Sequence, residues 1–80
     1  MAKKYKYKNE TVEAVKWTGK NAPEMVLFAG DLSEWDGLLT LEVGGTDRVA
    51  HKGDYIVKIG GEPFVFKPDE FKKMFQEVRG

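Results

Sequence analysis

The stretch HKGDYIVKIGGEPFVFKPDEF, residues 51–71, decides the fold because turn, strand and helix signals follow one another closely in it. Gly60 and Gly61 form a tight-turn signal, since glycine adopts positive φ angles without steric cost. The segments on either side, 55–59 and 62–66, place apolar side chains at alternate positions. This alternation is typical of strands, so the stretch predicts a β-hairpin around the glycine pair.

The residues after Pro68 predict an amphipathic helix that packs on one face of the sheet. Proline suits the first turn of a helix, and the acidic residues Asp69 and Glu70 favour its positive end. Apolar side chains then recur at i, i+3, i+4 and i+7, which places them on a single stripe. The stripe consists of Phe71, Met74, Phe75 and Val78.

Four further segments upstream complete the set of predicted elements. Residues 38–43 and 46–50 predict a second hairpin, around the glycine pair at 44–45. Residues 11–17 alternate with apolar groups on both faces, which indicates a strand inside the sheet and not at its edge. Residues 22–30 predict a short helix, with a strand as the alternative interpretation of so short an apolar run.

These elements predict an α+β fold. Its small antiparallel sheet has four to five strands, with a short helix after the first strand and the C-terminal amphipathic helix packed on one face. Eighty residues suffice for one core, so 1–80 is predicted to be a single domain. Residues 1–8 are interpreted as a basic lead-in, which is either flexible or covers a core edge with its tyrosines. Unpaired edges in so small a sheet also suggest a homodimer.

The composition limits the classes of function. The chain has no cysteine, so it lacks both disulfides and thiolate metal ligands, which suits a cytoplasmic protein. Its 13 basic residues balance its 13 acidic ones, which argues against an obligate nucleic-acid coat. No apolar run approaches the roughly 18–20 residues of a membrane span, so no membrane partner is expected.

The sequence contains few residues that could support catalysis. It has one histidine, His51, and one serine, Ser33, and no signal pairs that serine with a base. Phosphate-binding glycine motifs are absent, because the glycine pairs lack the strand-to-helix context that such motifs need. We therefore expect a protein that is not an enzyme, with no catalytic residues, no metal site and no cofactor.

The segment DLSEWDG, residues 31–37, is the strongest candidate for a binding surface. Its simplest interpretation is a capped half-turn whose tryptophan folds onto the domain. The functional interpretation is an exposed aromatic anchor surrounded by acids, a common form of protein-binding hot spot. A calcium loop would need more oxygen ligands at regular spacing. The candidate protein-binding residues are Asp31, Glu34, Trp35 and Asp36.

The N-terminal residues form an alternative candidate site, for nucleic acid. In an extended chain the tyrosines point to one side and most of the lysines to the other. A basic segment with aromatic rings is typical of single-strand binding surfaces. The residues of this candidate nucleic-acid-binding site are Lys3, Lys4, Tyr5, Lys6, Tyr7 and Lys8.

Three segments occur in an order that resembles a known family. VEAVKWTG (12–19), GDYIVK (53–58) and KPDEFKKMFQEV (67–78) are similar to a family of small proteins encoded by bacterial phages and prophages. Lys52 departs from its pattern, since the family usually has proline there. The resemblance implies a phage accessory protein that acts in the host cytoplasm, and it provides no catalytic residues.

The leading expectation is therefore a non-catalytic phage accessory protein that acts by binding a host protein, such as a defence or regulatory factor. One alternative is a nucleic-acid-binding module that uses the basic and aromatic N-terminal arm. Another is a protein that sequesters a small ligand such as a nucleotide, for which the sequence has no specific motif.

Overall fold

A computed structural model describes residues 3–30 and 32–77, which form eight strands and two helices. Strands account for 53% of the described residues, so the protein is mostly β. In chain order the elements are β1 (Lys3–Tyr7), β2 (Glu10–Lys16), α1 (Ala22–Ala29), β3 (Leu32–Trp35), β4 (Leu38–Val43), β5 (Thr46–Ala50), β6 (Tyr55–Ile59), β7 (Glu62–Phe66), α2 (Pro68–Met74) and β8 (Gln76–Glu77).

The strands form two antiparallel sheets, so the predicted α+β fold with one sheet is wrong. The large sheet has five strands in the order β7-β6-β2-β1-β8, and the small sheet has three in the order β3-β4-β5. Short helix α1 is present, but it follows the second strand and not the first. The error has a physical cause: β1, β3 and β8 are stabilised by their pairing partners, which local propensity does not reveal.

The hairpin within residues 51–71 forms as the sequence predicts. Strands β6 and β7 pair with Ile59 opposite Glu62, and the intervening Gly60 and Gly61 have φ angles of 63° and 83°. Both angles lie in the left-handed region that a two-residue hairpin requires. Pro63 lies on β7, at the edge of the large sheet, where its missing N–H does not interrupt a ladder.

Both faces of the large sheet are covered, which explains the apolar groups on both faces of central strand β2. On one face the small sheet and α1 enclose a first core. On the other face α2 encloses a second core, where Phe71 and Phe75 pack on Val12 and Ala14. The first core contains Val15, Trp17, Met25, Phe28, Leu39, Leu41, Ala50 and Ile56.

Helix α2 is shorter than its apolar stripe predicts. It begins at Pro68, where the Lys67 backbone N–H donates to the Glu70 carboxylate at 3.1 Å, and it ends at Met74. The chain then extends into β8, which pairs antiparallel with β1. Phe71 and Phe75 are buried as expected, Met74 is 42% exposed, and Val78 lies outside the described residues.

Tyr5 packs edge-on against Phe71, with 4.7 Å between the ring centroids, and this makes stability depend on pH. Burial raises the pKa of Tyr5 above its ordinary value of about 10, and nearby Glu77 and Tyr55 raise it further. The unfolded chain therefore loses this proton at a lower pH than the folded chain. The stability that neutral Tyr5 contributes is complete below pH 10 and is lost as pH rises through the folded pKa.

We expect the free energy of unfolding to fall between about pH 8 and about pH 11, and to fall less in Tyr5→Phe, which cannot ionise at that position. Urea unfolding of both proteins at the two pH values measures the difference. Equal losses in the two proteins would contradict the environment described for Tyr5.

Candidate functional site

The candidate site around Trp35 is a β-hairpin and not the predicted capped half-turn. Glu34 and Trp35 end β3, and Asp36 and Gly37 form the two-residue turn into β4. Their φ angles of 52° and 82° are the left-handed pair that Asp-Gly hairpins adopt. The sequence contains this Asp-Gly signal, but segment 31–37 as a whole is also typical of a half-turn capped by Asp31 or Ser33. Asp31, the fourth predicted residue of this site, lies outside the described residues.

Trp35 is 82% exposed and lies on the edge strand, at one end of an apolar strip that continues through Leu38 to Val49. It pairs with Leu38 across β3 and β4, and paired residues project from the same face of a sheet. The neighbouring pair on that face is Thr40 with Val49, and 44% of Val49 is exposed. We call this surface the outer face, and its residues are Ser33, Trp35, Leu38, Thr40, Glu42, Asp47 and Val49.

Acidic residues lie at both ends of the outer face. Asp36 occupies the turn beside Trp35, and Glu42 pairs directly with Asp47 at the far end of β4 and β5. Like charges opposite each other in a sheet are destabilising, and within residues 3–30 and 32–77 neither carboxylate forms an ion pair. Glu34 is exposed too, but it pairs with Leu39 and so projects from the opposite side of the sheet.

The position of the hairpin is set by the first core. The buried Trp17 indole donates its Nε1–H to the Gly37 carbonyl oxygen at 2.9 Å. A Cβ atom added at Gly37 would lie 2.9 Å from the Lys52 side chain, so the turn is packed closely against its neighbours. Trp35 is therefore an exposed ring on a turn that is already held in place, which lowers the entropic cost of binding.

Strand β3 leaves one edge of the small sheet open. Among the described residues it pairs only with β4, while β4 pairs on both sides. An open edge exposes backbone N–H and C=O groups that an extended segment of another chain can pair with. This edge lies directly beside Trp35, so the two features form one continuous surface.

The predicted nucleic-acid-binding residues separate onto two sides of β1. Tyr5 and Tyr7 face α2, where the Tyr7 ring stacks on Phe75 with 5.1 Å between centroids. Lys4 and Lys6 are exposed on the opposite face. Lys3 shares the face of the tyrosines, and the Lys8 ammonium lies 5.4 Å from the centroid of the Tyr7 ring. The structure thus separates Lys4 and Lys6 from the rings, and Lys3–Tyr7 is a sheet strand and not a loose arm.

His51 and Asp54 form the turn before β6. The His51 backbone N–H donates to Asp54 Oδ2 at 2.9 Å, while the imidazole Nδ1 lies 3.8 Å from the same oxygen. Backbone hydrogen bonds of 2.8 Å and 2.7 Å then join Asp54 and Gly53 to Trp17. These contacts give buried Asp54 a structural role, because its carboxylate and carbonyl both accept hydrogen bonds that close the turn.

The described part of the chain contains no group of three or more metal-binding side chains. Neither helix in residues 3–30 and 32–77 has the length and hydrophobicity that crossing a bilayer requires. The sequence does not indicate Leu38, Val49, Glu42 and Asp47 as part of the site, because their place on the outer face depends on strand pairing. Comparison with protein-family models, with curated proteins and with solved structures gives no match, so the phage-family resemblance stays a prediction.

Proposed function

We propose that the protein is a non-catalytic binding protein that holds a partner protein against its outer face. The exposure of Trp35, at 82%, is the observation that carries this proposal. A tryptophan ring contributes a large apolar area with few rotatable bonds, and such residues dominate the binding energy of many interfaces. A second tryptophan in the same chain, Trp17, is fully buried, so exposure is not forced by the size of the side chain.

The outer face also indicates the chemistry of the partner. Its centre is apolar, through Trp35, Leu38 and Val49, and carboxylates lie at its two ends. A complementary surface has an apolar pocket for the indole ring and basic residues around it, since opposite charges steer the encounter and fix its register. The open edge of β3 adds backbone hydrogen bonds to a partner with an extended segment.

The resemblance to phage-encoded proteins favours a host protein as this partner, such as a defence or regulatory factor in the host cytoplasm. The absence of cysteine agrees with a reducing compartment. A ligand-sequestering role has weaker support. The grooves among the described residues, such as the 240 Å³ groove lined by Tyr5, Lys16 and Tyr55, are open to solvent, whereas ordinary ligand sites enclose most of the ligand.

We expect Trp35→Ala to weaken partner binding by about 30-fold or more, the effect of losing a hot-spot residue of roughly 2 kcal/mol. A tagged protein is incubated with nuclease-treated host lysate, and retained proteins are quantified by mass spectrometry. The retained partner is then purified and titrated against both variants by calorimetry.

Leu27→Ala is the matched control, because Leu27 is 89% exposed on α1 and also loses an apolar side chain. It should leave the affinity unchanged.

The double variant Glu42→Lys/Asp47→Lys should slow association with a basic partner without unfolding the sheet, which circular dichroism checks. If Trp35→Ala and Leu27→Ala bind equally well, the outer face is not the binding site. Retention of only a second copy of the chain would replace the host partner with a homodimer.

A further inference from the structure

Four lysines converge on one groove at the junction of β1, α2 and β8. The groove has a volume of 360 Å³. Pairing of β1 with β8 places Lys6 opposite Gln76, and this brings the last turn of α2 beside the turn that follows β1. The lining residues are Lys6, Lys8, Lys72, Lys73, Met74, Phe75 and Gln76.

The described lining of this groove carries positive charge only. None of the four lysines forms an ion pair within the described ranges, and the described lining contains no carboxylate. The negative C-terminal end of the α2 dipole favours lysines in the last turn, which explains Lys72 and Lys73. It does not explain Lys6 and Lys8, because they belong to β1 and the turn that follows it. The chain as a whole has zero net charge, so this is a local excess of positive charge.

The chemistry of the groove suits phosphates and not bases. Lysine ammonium groups on flexible stems act as point charges for phosphate oxygens. The aromatic rings nearby are engaged in the second core, since Phe75 is buried and Tyr7 stacks on it. The Lys8 ammonium also lies 5.4 Å from the centroid of the Tyr7 ring. The described lining of the groove therefore has cations for a backbone and no exposed ring on which a base could stack.

The groove also continues along β1. Lys4 lies two residues from Lys6 and projects from the same face of the strand, so positive charge extends beyond the lining residues. An extended chain of phosphates contacts both the groove and this continuation, whereas a compact anion contacts the groove alone.

We propose that the lysine groove binds the phosphodiester backbone of single-stranded nucleic acid without reading its bases. The site is separate from the outer face and independent of the function proposed there. It differs from a stacking arm, because it uses Lys72 and Lys73 and leaves the two tyrosines in the core.

Counterion release makes the proposal quantitative. With four phosphates neutralised, log K against log salt has a slope of about −2.8 for a single strand, a loss of about 50-fold between 50 and 200 mM salt. Fluorescence anisotropy with a labelled oligothymidylate of about twelve nucleotides measures this slope. For Lys72→Gln/Lys73→Gln, which leaves two of the four lysines, we expect a slope of about −1.4. Its affinity should then fall only about sevenfold between 50 and 200 mM salt.

The control is Lys16→Gln/Lys20→Gln, which removes the same charge near the end of β2 away from the groove. It should keep the wild-type slope. The proposal is overturned if the oligothymidylate does not bind at 50 mM salt, or if both double variants lose affinity equally. A preference of more than about threefold between oligothymidylate and oligoadenylate overturns it as well, since backbone binding is sequence-tolerant. Binding of tripolyphosphate without binding of the oligonucleotide assigns the groove to a free oligophosphate instead.

Discussion

Replacing Trp17 with alanine is expected to lower the free energy of unfolding by about 3–5 kcal/mol, the usual cost of removing a buried tryptophan. Trp17 is fully buried in the first core, and its indole N–H donates a hydrogen bond to the Gly37 carbonyl. Its backbone forms hydrogen bonds with Gly53 and Asp54. A domain of this length has roughly 4–12 kcal/mol of stability, so the variant loses a large share of it or unfolds. The β3–β4 hairpin, which carries Trp35, loses its hydrogen bond to the first core in the same variant.

Urea unfolding followed by far-ultraviolet circular dichroism measures the loss. Trp17→Phe is the informative control, because it keeps most of the ring volume but removes the hydrogen bond to the Gly37 carbonyl oxygen. We expect it to cost roughly 1–3 kcal/mol, because the part-buried Gly37 carbonyl loses its donor and the smaller ring leaves space in the core. A loss below about 1 kcal/mol in Trp17→Ala would contradict the burial of this side chain.

Phe71→Ala is expected to cost a similar amount, about 3–5 kcal/mol, by opening the second core. The Phe71 ring stacks on Tyr55 with 3.9 Å between centroids and lies 4.7 Å from Tyr5 and 4.9 Å from Phe75. Its removal therefore breaks three aromatic contacts, each of which contributes about 0.5–1.5 kcal/mol beyond simple burial.

The control for Phe71→Ala lies on the same helix. Met74→Ala shortens a side chain that is 42% exposed, so we expect a loss below about 1 kcal/mol. Urea unfolding gives both values, and near-ultraviolet circular dichroism of the tyrosines should change in Phe71→Ala alone. Equal costs for the two variants would show that α2 does not pack through Phe71.

The hairpins were predictable from sequence because their signals are local. Glycine pairs at 44–45 and 60–61 allow positive φ angles, and the flanking segments alternate, so four strands could be predicted correctly. The sequence also indicates that β2 is a central strand, because apolar residues on both faces are typical of a strand that is covered on both sides. What covers those faces is a tertiary property, and the sequence pattern does not distinguish a second sheet from a helix.

Two segments show where local reasoning fails. Residues 76–77 continue a helical pattern, yet pairing with β1 makes them a strand, because sheet formation depends on the partner more than on propensity. Residues 32–35 resemble a capped turn, yet pairing with β4 makes them an edge strand. In the candidate site the sequence indicated Trp35 and its acids, but Leu38 and Val49 join them only through the register.

The pairing of β1 with β8 affects how the protein folds during synthesis. Tyr5 lies opposite Glu77, so this ladder joins segments from opposite parts of the sequence, and contacts of such long separation slow folding. Ribosomes add about 5–20 residues per second, so the segments of β1 and β2 are made seconds before Phe71 and Phe75. During that time the face with Tyr5 and Val12 is uncovered. The nascent chain therefore exposes this apolar face to other chains until residues 71–75 emerge.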